Sequence, residues 1–480
     1  IQKNSRGVKH RMTSKFRALF DVQDMTTGSP MRNIVQFSVP LLIGNLAQQL
    51  YSTVDSIVVG RYVGDTALAA VGASGPVINL LIVLFVGIST GAGIMVSQYF
   101  GAKQKEHLST TVGNCVTLTM ISALIIMALG ILITRPLMSL LHTPAEIYDM
   151  ACDYMTIIFV GILGSAYYNI FSGILRGLGD SVTPLIFLLI ACALNTVLDI
   201  WFVAGLRMGV AGAAWATILA QFVSGGLCLI RILMMRKVVQ INRKTLHLHK
   251  FYAAQLAKLG LPSGITQAIF SLAMIVVQSL TNSMGTAVIA CTTVVMRVDG
   301  FAMMPNFTFG TAMTTYAGQN MGAGLLDRTR KGTRDGLWLA VGCACLLTAC
   351  ILLFGENLMR LFTSTEEVVR LGMRMMRIIA TGYIAMAVTQ VLSGVMRGAG
   401  DTMTPMWISL FTTVILRVPV AYVWAFLTRS PELPSGSSDA LFFSLLISWV
   451  MGAVVTTFFF QRGKWRTKAI TGNAAKNAEA

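Results

Sequence analysis

Charge is scarce in this chain. Only 12% of its 480 residues are Asp, Glu, Lys or Arg, where a soluble domain carries about 25%. Other features are missing as well. No stretch matches G-x-x-x-x-G-K-[ST], and no polar insertion is long enough for a nucleotide-binding domain, which argues against direct coupling to ATP. The first 30 residues are polar and basic, with no apolar core ahead of a cleavage site, so no secretory leader is expected. The eight cysteines are scattered without metal-ligand spacing and read as small buried hydrophobes. No apolar run alternates as a barrel strand would.

What is present is apolar. Hydrophobic residues make up 55% of the chain and mean hydropathy is +0.69. These values exclude a disordered chain, a collagen and a disulfide scaffold, and they argue against a soluble multidomain enzyme. Twelve windows of about 20 apolar residues recur, each long enough to cross about 30 Å of hydrocarbon. They fall near 35–59, 67–98, 113–134, 155–175, 184–204, 210–233, 256–283, 287–317, 336–355, 372–396, 405–427 and 440–460. Backbone groups in lipid must be satisfied within their own segment, so each window is expected to be a helix. The fold expected is an all-α integral membrane protein with twelve transmembrane helices.

The net charge is +17 and the pI is near 9.8. Twelve crossings put both termini on one side. With that side cytoplasmic, 27 of the 37 Lys and Arg lie inside and 8 outside, four of these between Arg360 and Arg377. A basic bias without a matching acidic one is the signature of inner loops. The surplus charge is therefore topological, and the expected partners are the bilayer and small molecules rather than nucleic acid.

The sequence also repeats. SGILRGLGDSVTP at 172–184 and SGVMRGAGDTMTP at 393–405 agree at eight of thirteen positions, at an offset of 221. The same offset pairs Gln98 with Gln319, Gly101 with Gly322 and Gly64 with Gly285, while Pro40 and Pro262 match within one residue. The chain reads as a duplicated six-helix unit. An even number of crossings gives both halves one orientation, related by a pseudo-two-fold axis along the membrane normal, an arrangement suited to alternating access. The expected divisions are a basic arm at 1–33, an N-lobe at 34–233, a basic linker at 234–255, a C-lobe at 256–461 and a tail at 462–480.

Five ionisable residues fall inside the spans, where each is costly enough to mark a candidate site. In the first half these are Asp55, fifteen residues after Pro40, and Asp199. Asn195 stands four residues before Asp199 and therefore on the same helix face, and Thr217 lies in the small-residue run GVAGAAWAT. Two carboxylates, an amide and a hydroxyl can form an oxygen cage for Na⁺ or share protons, or they can make an interhelical hydrogen-bond cluster. The second half instead carries Arg297, Asp299 and Arg417, which read as a structural charge cluster that could also meet an acidic substrate group. Gln48, Tyr51, Gln267 and Gln278 could face a cavity, together with flexible thioethers such as Met274 and Met303.

At these residues the chain resembles the MATE (multidrug and toxic compound extrusion) family. The likeness runs from about Met25 to residue 462. It is carried by VPLLIGNLAQQLYSTVDSIVVGRYVG at 39–64, the two RGxGD turns, NTVLDIWFVAG at 195–205 and GVAGAAWAT at 209–217. The resemblance implies a twelve-helix, V-shaped antiporter that exports organic, often cationic compounds in exchange for H⁺ or Na⁺ and needs no cofactor. It implies that Asp55, Asn195, Asp199 and Thr217 bind the coupling cation and that the first helix bends at Pro40. The amino-lobe set is closest to the DinF-like bacterial branches. The carboxylates that other branches carry in the seventh and tenth helices have no counterpart, since Gln267 and Met386 lie nearby instead. The expected protein is thus a monomeric secondary active multidrug exporter of the plasma membrane with both termini cytoplasmic, and not an enzyme. The alternatives are a lipid-linked saccharide flippase of the same broad superfamily and a non-transporting membrane receptor.

Overall fold

The computed structural model describes residues 22–140, 143–360, 365–431 and 433–471. The side chains of residues 52–57, 60, 65, 68, 75–77, 79–82 and 84 also lie outside that description. Almost everything described is helical. In the first half these helices are α1 (Pro30–Tyr62), α2 (Asp65–Gly101), α3 (Lys105–Leu140), α4 (Ala145–Val160), α5 (Ile162–Gly177), α6 (Val182–Asp199), α7 (Gly209–Met234) and the short α8 (Arg243–Leu246). In the second half they are α9 (Lys250–Asn282), α10 (Thr286–Gly322), α11 (Leu326–Arg360), α12 (Glu366–Ala380), α13 (Gly382–Gly398), α14 (Met403–Ser409), α15 (Arg417–Leu427) and α16 (Asp439–Arg462). Among the described residues, eight helical runs are long and apolar enough to cross a membrane, or ten if each of two bent pairs counts as one span. The bent pairs are α4 with α5, at 50°, and α12 with α13, at 43°. Helices α1 and α2 occupy the first two apolar windows of the sequence.

The 221-residue period is built into the backbone. Gly64 and Gly285 precede α2 and α10 with φ of +107° and +96°, a region closed to most side chains. The turns after α5 and α13 are the RGLGD and RGAGD motifs, where Gly179 and Gly400 have φ of +94° and +97°. In both turns the aspartate closes onto the threonine three residues on. Asp180 accepts from the Thr183 backbone N–H at 2.9 Å and hydroxyl at 2.6 Å, and Asp401 accepts from the Thr404 hydroxyl at 2.8 Å. The turns are thus locked hairpins. Burial pushes the Asp180 carboxyl above its ordinary range, opposed by the Thr183 bonds and the Arg231 guanidinium 3.4 Å away.

The period extends to helix packing and beyond the last long helix of each half. A Cβ on Gly173 would stand 2.8 Å from the Ser89 carbonyl oxygen, and one on Gly394 would stand 2.3 Å from that of Gly310. Small residues therefore let α5 cross α2, and α13 cross α10, with backbones nearly touching. After α7 comes α8, whose Asn242 side chain and Thr245 form a capping box. After α16 comes a 3₁₀ turn, Lys464–Thr467, at the same offset of 221 and with no aligned position in agreement. Both are docked. The Thr117 hydroxyl donates to the Leu246 carbonyl at 2.6 Å, and Trp465 is buried against Phe460 with ring centroids 4.9 Å apart. The chain then turns helical again at Ile470, as it does at Lys250.

The chain divides into two compact units. One comprises 1–27 and 35–260, the other 28–34 and 261–480. The first packs around Phe85, Met155 and Phe159, with a second cluster around Val59, Tyr154 and Val203. The second packs around Val295, Met375, Tyr383 and Trp449. The cysteines depart in part from the sequence expectation. Cys115, Cys152, Cys228 and Cys291 are buried, but Cys345 and Cys350 are exposed on α11. Burial within the protein gives a small apolar side chain no advantage over burial in lipid, so an apolar span does not dictate which way its cysteines face.

Candidate functional site

The site in the first unit grows from the end of α6. Asn195 and Asp199, one turn apart, are both buried, at 1% and 0% exposure. Immediately after Asp199 the helix widens into a π-turn, Ile200–Gly205, closed by the bond from Leu206 N–H to the Trp201 carbonyl at 2.8 Å. Such turns interrupt the regular ladder and recur at functional positions. Across from it, α7 presents Thr217 from a run in which Gly212, Ala213, Ala214 and Ala216 are buried. A carboxylate only accepts hydrogen bonds, which fixes the Asn195 amide. Its nitrogen donates to Asp199 Oδ2 at 2.8 Å, and its oxygen accepts from the Thr217 backbone N–H at 3.1 Å. The reversed amide instead donates to the Thr217 hydroxyl at 3.4 Å and turns its own oxygen toward Asp199. Three of the four residues expected at the cation site therefore converge. The Asp55 side chain lies outside the described residues, though its backbone is within α1. Pro40 is half-buried within α1, which runs through it without a break.

Gln48 and Tyr51 line one narrow pocket in this unit, together with Tyr168, Cys192 and Gln221. The four cavity candidates of the second unit differ in burial. Gln267 and Gln278 are exposed on α9, where Gln278 donates to the Asn282 side chain at 2.8 Å. Met303 is buried in the core, and Met274 is 38% exposed.

The charge cluster of the second unit is smaller than its sequence members suggest. Arg417 is buried, and its two terminal nitrogens lie 4.0 Å from the Met274 sulfur. Asp299 is close enough to feel the Arg417 charge, yet among the described residues no ion pair within 4.0 Å joins them. Arg297 is exposed, and among the described residues no ion pair within 4.0 Å joins it to Asp299. Two residues that the sequence did not single out complete the surroundings. The Tyr383 hydroxyl faces Asp299, and Asn306 donates to the Tyr383 carbonyl at 3.2 Å. Both are polar side chains within apolar helices, the same signal that picked out the carboxylates, but neutral groups are too common there to stand out.

Comparison with known proteins decides the family. The MatE family profile matches residues 40–201 and 262–423, two stretches of equal length, one in each half. The chain belongs to the MatE family. Its members are transporters, and this MatE protein is accordingly a multi-pass membrane protein of the multidrug efflux group. It is 29% identical over 443 residues to the probable multidrug resistance protein YpnP of Bacillus subtilis, covering 92% of this chain and 97% of that one. It is also 29% identical to the probable multidrug resistance protein YoeA of the same organism, over 85% of this chain and 89% of that one. It is 27% identical to the DNA damage-inducible protein F of Escherichia coli over 70% and 74% of the two chains. Among solved structures, it matches an outward-facing multidrug resistance MATE transporter with a TM-score of 0.85 at 24% identity, over 92% and 97% of the chains. A superfamily transporter from Pyrococcus furiosus matches with a TM-score of 0.84 at the same identity and coverage. At that identity the likeness establishes the two-lobe helical fold.

Proposed function

We propose that this MatE protein is a secondary active antiporter that exports organic, often cationic compounds in exchange for H⁺ or Na⁺ by alternating access. The chain would cross the plasma membrane twelve times as a monomer, with both termini cytoplasmic and its halves related by a two-fold axis along the membrane normal. Asp199, Asn195 and Thr217, joined by Asp55 from α1, would hold the coupling cation, and no cofactor is required. The observation that carries this reading is the convergence of the buried Asn195 and Asp199 with the half-buried Thr217 at a π-turn midway through the first unit. A cluster of carboxylate, amide and hydroxyl oxygens inside an apolar span suits a mobile cation.

The Asn195 amide can serve either protonation state of Asp199. With its nitrogen toward Asp199, the amide serves the charged carboxylate; with its oxygen there, it is served only by a carboxyl that carries a proton. Protonation of Asp199 would thus reverse Asn195 and exchange the bond to the Thr217 backbone for one to its hydroxyl. The test is export of a fluorescent cationic dye from proteoliposomes under separately imposed proton and Na⁺ gradients. Native protein should export under one gradient and lose that response in Asp199→Asn. Export indifferent to both gradients would overturn the antiport reading.

A further inference from the structure

The inner bias of basic residues has one local exception, the four arginines between Arg360 and Arg377. Two of them are neutralised. Arg360 meets Glu356 at 3.1 Å and Glu366 at 2.8 Å, and Arg374 is bonded to Asp439. Arg370 and Arg377 have no carboxylate within 4.0 Å among the described residues. They stand seven residues apart on α12 and so share one face. Both line a groove of about 870 Å³ beside α16, whose apolar wall includes Ile378, Phe443 and Leu446. Glu367 and the bonded Arg374–Asp439 pair complete its charged lining, leaving one net positive charge.

The depth of these groups is informative. Arg377 and Arg397 are separated by twenty residues, about 30 Å of helix, which is about the thickness of the hydrocarbon layer. With Arg397 in its turn at one membrane surface, Arg377 reaches the headgroups of the other and Arg370 stands further out. The groove therefore has guanidinium groups at headgroup level and an apolar wall below them. Its foot is Thr381, where α12 bends by 43° into α13.

We propose that this groove binds an anionic phospholipid, with its phosphate held by Arg370 and Arg377 and its acyl chains lying on Ile378, Phe443 and Leu446. The planar guanidinium fork matches phosphate oxygens. A free phosphate would use the arginines and leave the apolar wall uncovered, whereas a lipid uses both. The site is separate from the cation-coupling residues and does not rest on the antiport reading.

The test is native mass spectrometry of the full-length protein, titrated in neutral detergent with dioleoylphosphatidylglycerol or dioleoylphosphatidylcholine. The native protein should retain the anionic lipid with about tenfold preference, as two arginines at a charged headgroup allow. The double variant Arg370→Gln, Arg377→Gln should lose that preference. Phe443→Ala should weaken retention of both lipids, because it removes wall rather than charge. Arg330→Gln, on an exposed pair elsewhere, controls for a general loss of charge, and a monodisperse spectrum controls for folding. Equal retention of both lipids by the native protein, or an undiminished preference in the double variant, overturns the proposal. Displacement of the anionic lipid by millimolar inorganic phosphate also overturns it, since the groove would then be a free-anion site.

Discussion

In the first half, the helix that follows the RGxGD turn buries a carboxylate, Asp199, beside an amide and a hydroxyl. In the second half, the corresponding run buries a guanidinium, Arg417, within the influence of Asp299. A π-turn interrupts both runs, after Asp199 at Ile200–Gly205 and before Arg417 at Leu410–Leu416. The scaffold is shared and the charge is reversed. A buried carboxylate can give up and regain a small cation, because its neutral form exists at ordinary pH. A guanidinium cannot lose its proton, so Arg417 is a fixed charge that needs a fixed partner. Under the proposed function, one half would keep an exchangeable site while the other carries a fixed charge.

Three experiments can break or sharpen this contrast. The largest expected effect is on transport. Asp199→Asn should lower gradient-driven dye efflux by at least about tenfold, the loss ordinarily seen when even outer-shell partners of an ion site are removed. Asp299→Asn, expressed to the same level, should retain most efflux. Equal loss in both variants would mean that the second unit also handles the coupling ion.

A smaller effect is expected where the halves agree. Gly173→Val and Gly394→Val should each destabilise the protein by about 2–3 kcal/mol, because the added carbons overpack a backbone crossing. Thermal unfolding in detergent should show similar drops. A large drop in only one would show that the two crossings are not equivalent.

The smallest effect separates the two turns. Asp180→Ala removes the acceptor for Thr183 and leaves the mostly buried Arg231 without its carboxylate, a cost of about 1–3 kcal/mol. Asp401→Ala should cost about 1 kcal/mol less in the same unfolding measurement. Its cation, Lys468, lies 3.8 Å away and is half exposed, and exposed pairs contribute little.

The scaffold was legible because backbone geometry restricts the residues at a few positions. Gly64 and Gly285, or Gly179 and Gly400, recur at one offset because each holds a positive φ. The Asn195–Asp199 pair was legible because four-residue spacing puts polar groups on one face, and an apolar background makes them conspicuous. Its closure onto Thr217 was foreseeable only as a possibility, since the crossing of α6 and α7 is a matter of packing. Tyr383 and Asn306 were not legible for a related reason. A neutral polar side chain in an apolar helix gains meaning only from what other helices place against it. Arg297 shows the converse: two residues from Asp299 in the same helix, it is exposed, and among the described residues no ion pair within 4.0 Å joins the two.

The docked segments after α7 and α16 also bear on the repeat. RKTL and KWRT agree at no aligned position, yet each coils into one short turn at an offset of 221. The 221-residue period thus runs on through the stretch read as a basic connector, because the turn at Arg243–Leu246 recurs at Lys464–Thr467. The compact units are nonetheless out of step with that period, because 28–34 group with the later copy and 250–260 with the earlier one. Each compact unit thus includes a short opening segment of the other repeat. Severed between His249 and Lys250, neither piece would carry the whole of one compact unit.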